Sequence, residues 1–238
     1  MTGHPSTASP HREVLVVGAS RGIGLAVVEE YARRGSRVVG TVRGTGRTAL
    51  HDLADRSAGA VDVEHVDTTV DDEISALAQR LAGRCFDLLL VNAGVTHDQS
   101  LTSATISPEE FSRVMVTNAL APLRVAEALR PLVADDGTIA LTSSGQGSVA
   151  GNTGGGWELY RASKAALNQL TRSWAARHAD DGRALLLLAP GWVRTDLGGE
   201  GAASSTEEAV PPLVDTVDAQ HGRPGLQFLD REGRTVAW

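Results

Sequence analysis

Tyr160 and Lys164, in the run Tyr160-Arg161-Ala162-Ser163-Lys164, carry the clearest chemical potential in the chain. Positions i and i+4 of a helix share a face. A compact ammonium beside a phenol lowers the phenol's pKa from about 10 toward neutrality, and such a phenol can exchange a proton with a substrate oxygen. Lys164 is the one lysine among 22 Lys and Arg residues. Arginine is bulkier and its donors form a fixed fork, so position 164 asks for an ammonium rather than for charge alone. A tyrosine and a lysine four apart are also an ordinary helix-surface pair, so the pair gains weight only from its surroundings.

Those surroundings include a phosphate-type turn. Gly18-Ala19-Ser20-Arg21-Gly22-Ile23-Gly24 follows an apolar run and precedes a helical pattern. Its spacing, GxxxGxG, still gives a tight turn whose backbone N–H groups can approach a pyrophosphate at a helix N-terminus. Gly18, Ser20, Arg21, Gly22, Ile23 and Gly24 are therefore candidate cofactor-binding residues. An NAD(H) enzyme usually ends its second strand with an acid for the ribose hydroxyls. Here Val38-Val39-Gly40-Thr41-Val42-Arg43 ends in Arg43, and Arg21 lies in the glycine turn. Two guanidiniums can grip a 2′-phosphate, which favours NADP(H) over NAD(H). Two solvated surface arginines are the alternative.

The elements that would position these residues alternate along the chain. Short apolar runs at 13–17, 37–41, 61–65, 87–91, 138–142 and 183–188 are separated by helix-length stretches, including 23–34, 71–82, 108–132 and 158–179. Runs such as Leu88-Leu89-Leu90-Val91 are apolar on both faces, as strands covered on both sides must be. A last short strand is expected at 226–229. The pattern predicts an α/β fold: a single Rossmann-type, doubly wound parallel sheet of about seven strands flanked by helices. Ligands bind at the C-terminal strand ends of such sheets. The ends here carry Asn92-Ala93-Gly94, Thr142-Ser143-Ser144 and Pro190-Gly191-Trp192-Val193-Arg194-Thr195-Asp196. A serine hydroxyl at the fifth strand end could bond a substrate carbonyl. The segments 151–156 and 198–205 read as mobile small-residue loops beside the candidate site.

Composition sets bounds. The chain has 238 residues, 42% of them hydrophobic, and a formal net charge of −7. That fits one domain over residues 13–238, after a polar, loose tail at 1–12, and argues against nucleic-acid binding. No apolar run approaches the roughly 20 residues of a membrane span, and the start lacks the apolar stretch of a signal peptide. A cytoplasmic location follows by default. The seven histidines show no metal-ligand spacing, so no metal is expected. The single cysteine, Cys85, reads as an ordinary buried thiol.

Taken together, the motifs Gly18–Gly24, Val91-Asn92-Ala93-Gly94, Ser144, Tyr160–Lys164 and Pro190–Asp196 resemble the short-chain dehydrogenase/reductase family, from Glu13 to Trp238. The stretch from Ser143 to Gly199 and the ending Gly233-Arg234-Thr235-Val236-Ala237-Trp238 resemble sniffer-type carbonyl reductases and C-factor-like proteins in particular. The resemblance implies an NADP(H)-dependent oxidoreductase acting on a carbonyl or alcohol, with Tyr160 as acid/base. It implies that Lys164 lowers the pKa of Tyr160 and holds the nicotinamide ribose. Ser144, or else Ser143, would orient the carbonyl, and Asn118 would anchor a relay water. Asp67 and Thr68 would contact adenine. Asn92, Ala93, Gly94, Pro190, Gly191, Val193 and Thr195 would line the cofactor, the last two at the nicotinamide. C-factor-like relatives also allow a signalling protein with little turnover, and NAD-dependent alcohol oxidation is a third reading. A homodimer or homotetramer is implied, with the helical stretches 108–132 and 158–179 able to pair across a two-fold axis. The gap of 16 residues from Ser144 to Tyr160 is longer than many members show and suggests an inserted loop. Trp157 and Trp192 either flank the cleft, hinting at a flat or aromatic substrate, or pack against loops.

Overall fold

A computed structural model describes residues 10 and 12–238, so the tail expected at 1–12 falls largely outside the described residues. Seven parallel strands form one sheet in the order β3-β2-β1-β4-β5-β6-β7. They are β1 (Glu13–Val17), β2 (Arg37–Val42), β3 (Val61–His65), β4 (Phe86–Val91), β5 (Val133–Thr142), β6 (Ala184–Ala189) and β7 (Gly225–Asp230). The strand alternation explains how one run serves two cores. Leu15, Val17, Leu89 and Val91 face one side. Val14, Val16, Leu88 and Leu90 face the other. Each such side chain, fully buried, contributes roughly 1.5–3 kcal/mol, which is why β6, Ala-Leu-Leu-Leu-Leu-Ala, is buried at every position.

Helices α1 (Gly22–Arg33), α2 (Ala49–Arg56) and α7 (Thr206–Asp218) cover the second face. The first face is covered by α3 (Asp71–Arg80), α5 (Ala121–Leu129) and α6 (Glu158–Arg177). A serine starts α7: Ser205 Oγ accepts from Glu208 N and closes a capping box there. Strand order reverses between β1 and β4, and that switch point opens a crevice at the carboxyl ends of the strands.

Three expectations need correction. The helix expected at 108–132 is not continuous. It divides into α4 (Pro108–Met115), a π-helical turn (Val116–Leu120), α5 and a short 3-10 turn (Arg130–Leu132). Pro122 explains the break: it has no N–H to offer the carbonyl four residues earlier, at Asn118, and its ring crowds that carbonyl. The fifth strand begins at Val133, five residues before the expected start, and a register shift between Phe86 and Leu88 absorbs its irregular opening. Cys85 is exposed, because it lies in the turn before β4 rather than within the strand.

Candidate active site

The glycine turn is built by close approach. Gly18 has φ +89, and a Cβ there would come within 2.7 Å of the Ala93 backbone. A Cβ on Gly24 would lie 2.1 Å from the Gly18 carbonyl oxygen. Only glycine lets β1, α1 and the end of β4 meet so tightly. Side chains then stitch the turn in place. Thr41 Oγ1 accepts from Gly18 N at 3.1 Å, and Asn92 Nδ2 donates to Gly18 O at 3.0 Å. Asn92 Oδ1 in turn accepts from Thr142 Oγ1 at 3.2 Å, tying β4 to β5. Helix α1 has Arg21 at its N-cap with no side-chain cap. Its first N–H groups therefore point at the crevice without a side-chain acceptor, the arrangement that receives an anion.

That crevice has a volume of about 710 Å³, within the roughly 300–1,000 Å³ typical of cofactor and small-molecule sites. Its glycine-turn end is lined by Gly18, Ser20, Arg21, Gly22, Ile23 and Arg43, with Asp67 and Thr68 beyond them. Asn92, Ala93, Gly94, Pro190, Gly191, Val193 and Thr195 line its middle, and Ser144, Tyr160 and Lys164 its far end. Asn118 is not in the lining; it stands behind the wall, fully buried. Gly24 is not in the lining either, being packed under the Gly18 carbonyl; the other predicted site residues are brought to one cavity. Partial burial raises the Asp67 carboxyl, but hydrogen bonds from Thr69 and the nearby Arg43 guanidinium outweigh it and hold the group below the usual carboxylate range. Arg21 is drawn aside: its guanidinium lies 3.0 Å from Asp196, both side chains well exposed.

At the far end, Lys164 is 3% exposed and its Nζ donates to the Thr142 carbonyl at 2.8 Å. The same Nζ lies 5.8 Å from the centre of the Tyr160 ring. The pair does share one helical face, but its proton affinities depart from expectation. Burial pushes the Tyr160 phenol up to about 12, only partly opposed by its hydrogen bond with Ser144. Burial also pulls Lys164 down to about 8. Low dielectric penalises both charged forms, and at Tyr160 burial outweighs the pull of the neighbouring ammonium on the phenol.

The two serines differ in their partners. Ser143 Oγ donates to Asn168 Oδ1 at 2.6 Å and is buried, so its hydroxyl is occupied. Ser144 is the serine that meets Tyr160, and its Oγ also accepts from Gln146 N at 3.1 Å. Asn118 holds three groups with one amide. Its Oδ1 accepts from Val95 N at 2.8 Å, and its Nδ2 donates to Val95 O at 2.8 Å and to Ser163 Oγ at 3.0 Å. Ser163 Oγ donates onward to the Tyr160 carbonyl at 2.8 Å. These bonds join the segment after β4 to α6.

The sequence reading missed several crevice residues. Thr41 has a clear role, yet inside a strand it looked like any β-former. Gln146, in the turn Gly145–Gly147, lines the cavity and carries a buried Oε1 without a hydrogen-bond partner; its place two residues after Ser144 was the available signal. Among the described residues, no three His, Cys, Asp or Glu side chains gather where a metal could be held, and no helix is long and apolar enough to cross a membrane.

A doubly wound parallel sheet, a glycine-rich phosphate turn at its switch point and a tyrosine–lysine pair at the far end of one crevice define a nucleotide-dependent oxidoreductase. Comparison with known proteins gives the family. The short chain dehydrogenase model matches residues 12–205, and the chain belongs to that family. A 1-hydroxy-2-glutathionyl-2-methyl-3-butene dehydrogenase of Rhodococcus sp. (strain AD45) is 33% identical over 94% of this chain and 99% of its own. A short-chain dehydrogenase/reductase from Burkholderia multivorans, solved with bound NADP, is 53% identical. It superposes with a TM-score of 0.94 over 96% of this chain and 100% of its own. The carbonyl reductase Sniffer of D. melanogaster is 27% identical, with a TM-score of 0.85 over 95% of this chain and 99% of its own.

Proposed function

We propose that the protein is an NADPH-dependent carbonyl reductase in which Tyr160 gives the proton. The observation that carries this reading is the cluster at the far end of the crevice, where Ser144 meets Tyr160 and the Lys164 Nζ lies 5.8 Å from the Tyr160 ring centre. A phenol held near 12 is protonated at neutral pH, as a proton donor to a carbonyl oxygen must be. A lysine near 8 is still mostly ammonium there. The residues present fit the cofactor. The Gly18–Ala93 approach leaves no room for a Cβ, the uncapped start of α1 suits a pyrophosphate, and Arg43 suits a 2′-phosphate. Arg21 joins Arg43 by leaving Asp196, since an exposed ion pair is worth only about 0–1 kcal/mol. The Burkholderia relative, with its bound NADP, supports the same choice.

When bound, NADPH supplies the hydride. Ser144 and Tyr160 hold the carbonyl oxygen by two hydrogen bonds, and Tyr160 passes its hydroxyl proton to that oxygen as negative charge grows there. Lys164, aimed by the Thr142 carbonyl, favours the phenolate left behind. Asn118 positions both by fixing Ser163 beneath Tyr160, and its backbone carbonyl, with no N–H from Pro122, takes the relay water. Asp67 and Thr68 hold the adenine. Residues 13–238 act as one cytoplasmic domain. Two or four copies assemble, with Phe111, Leu120 and Leu170 exposed along the helices that would pair.

The test follows reduced-nicotinamide absorbance with a panel of aldehydes and ketones. Wild type should turn over at least one with NADPH and far less with NADH, and Tyr160→Phe should abolish turnover while leaving NADPH binding. Undiminished turnover in that variant would overturn the role given to Tyr160.

A further inference from the structure

Trp157 breaks a local rule. Its backbone is left-handed, φ +52 and ψ +36, at the N-cap of α6. A bulky aromatic is an outlier there, because Cβ crowds the following carbonyl. Two glycines with φ +66 and +68, Gly155 and Gly156, lead into it, and glycine at 157 would continue that path without strain. Capping does not account for the tryptophan either, since it makes no side-chain cap bond.

The neighbouring backbone pins it from both sides. Arg161 Nε donates to Gly156 O at 2.9 Å, and Arg161 N donates to Trp157 O at 2.9 Å. Gly155 N donates to Asn152 Oδ1 at 3.1 Å. Ser103 N donates to Glu158 Oε2 at 2.7 Å, fastening the start of α6 to a loop from elsewhere in the chain. What the unusual residue supplies is a ring. Its centre lies 5.9 Å from that of Tyr160, edge to face at 69°. Both rings line the crevice, and so does Trp192, which is 55% exposed with its Nε1 donating to Gly198 O at 2.8 Å. Strain that local preference opposes and surrounding bonds enforce is found where function needs it.

We propose that Trp157 is the specificity-determining residue of this site: its enforced left-handed backbone sets the indole beside Tyr160 as an aromatic wall that selects aryl carbonyl compounds over small aliphatic ones. A ring attached to the carbonyl carbon packs against the indole while its oxygen meets the Tyr160 hydroxyl. An aliphatic chain fills the same space without the offset or edge-to-face ring contact. The inference rests on the carbonyl-reductase reading and adds the substrate class to it.

The experiment compares wild type with Trp157→Gly on benzaldehyde and butanal, with NADPH, recording kcat, KM and the thermal midpoint. Glycine adopts the left-handed backbone freely, so the midpoint should stay level or rise. The benzaldehyde-to-butanal ratio of kcat/KM should fall by roughly tenfold or more, through KM for benzaldehyde, with KM for NADPH unmoved. Trp157→Asn, which also tolerates this backbone, should give the same fall. A ratio unchanged in both variants, while wild type reduces both aldehydes, overturns this inference alone. A large drop in the midpoint of both variants also overturns it, by showing that the ring serves the fold. Wild type that reduces neither aldehyde but turns over another carbonyl of the panel overturns this inference alone, and wild type inert on the whole panel overturns the reductase reading as well.

Discussion

The two ends of the same sheet are built from similar residues and arranged for opposite ends. At the amino ends of the strands a cavity of about 370 Å³ is lined by Glu13, Arg37, Gly59, Asp62, Arg84 and Cys85. Three of its four charged side chains pair with one another. Arg84 lies 3.0 Å from Glu13 and 3.1 Å from Asp62, and Asp87 Oδ2 accepts from the backbone N–H groups of Arg12 and Glu13 at 2.7 and 3.0 Å. At the carboxyl ends, the crevice keeps an uncapped helix start, a buried ammonium lowered by desolvation, a phenol raised by it and an orphan amide oxygen at Gln146. Parallel strands force this asymmetry, because the helix following a strand begins at its carboxyl end and brings its positive dipole there. Polar groups that satisfy one another hold a fold; polar groups kept short of partners are ready for a ligand.

The contrast breaks most sharply at Tyr160. Tyr160→Phe should lower kcat for carbonyl reduction by about 10³-fold or more, measured by NADPH oxidation, with little change in thermal midpoint. A modest loss would mean that the crevice is not the reactive end. Next comes Arg43→Ala, which should raise KM for NADPH by roughly 10- to 100-fold and leave NADH nearly unaffected, read from paired titrations. Equal losses with both cofactors would remove the 2′-phosphate from the account.

The pH profile sharpens the comparison further. Lys164 is charged below about 8 and neutral above it. Because the ammonium favours the phenolate, kcat/KM should fall as pH rises through about 8, by roughly tenfold per unit beyond it. Tyr160, held near 12, stays protonated throughout and adds no limb of its own. A flat profile from pH 7 to about 10 would show that the lysine's charge is not used. The smallest effect belongs to the other end: Arg84→Ala should cost about 1 kcal/mol or less in denaturant unfolding and leave kcat/KM unchanged. A drop in activity there would dissolve the distinction between the two ends.

Much of this was legible in the chain itself. The bounds of β1 and β3 could be read from short runs and their breakers: β1 is apolar on both faces, as a doubly covered parallel strand must be, whereas the edge strand β3 alternates Val61-Asp62-Val63-Glu64. The glycine turn and the Tyr160–Lys164 spacing were equally plain, since each is a short-range geometric demand written in adjacent residues. Helix α2 gave too short and polar a pattern to read. The break at Val116–Leu120 went unread because the apolar pattern continues across Pro122.

Sequence alone therefore determined the fold class and the identity of the reactive pair, because backbone geometry and side-chain spacing are local. Only tertiary structure decided the rest. Asn168, 25 residues along the chain, occupies Ser143 and leaves Ser144 facing Tyr160. Asp196 claims Arg21 from across the crevice, and the loops around α6 hold Trp157 left-handed. Burial set both proton affinities of the pair. Dielectric environment and partner choice depend on which distant segments fold against a residue, and no spacing along the chain encodes them.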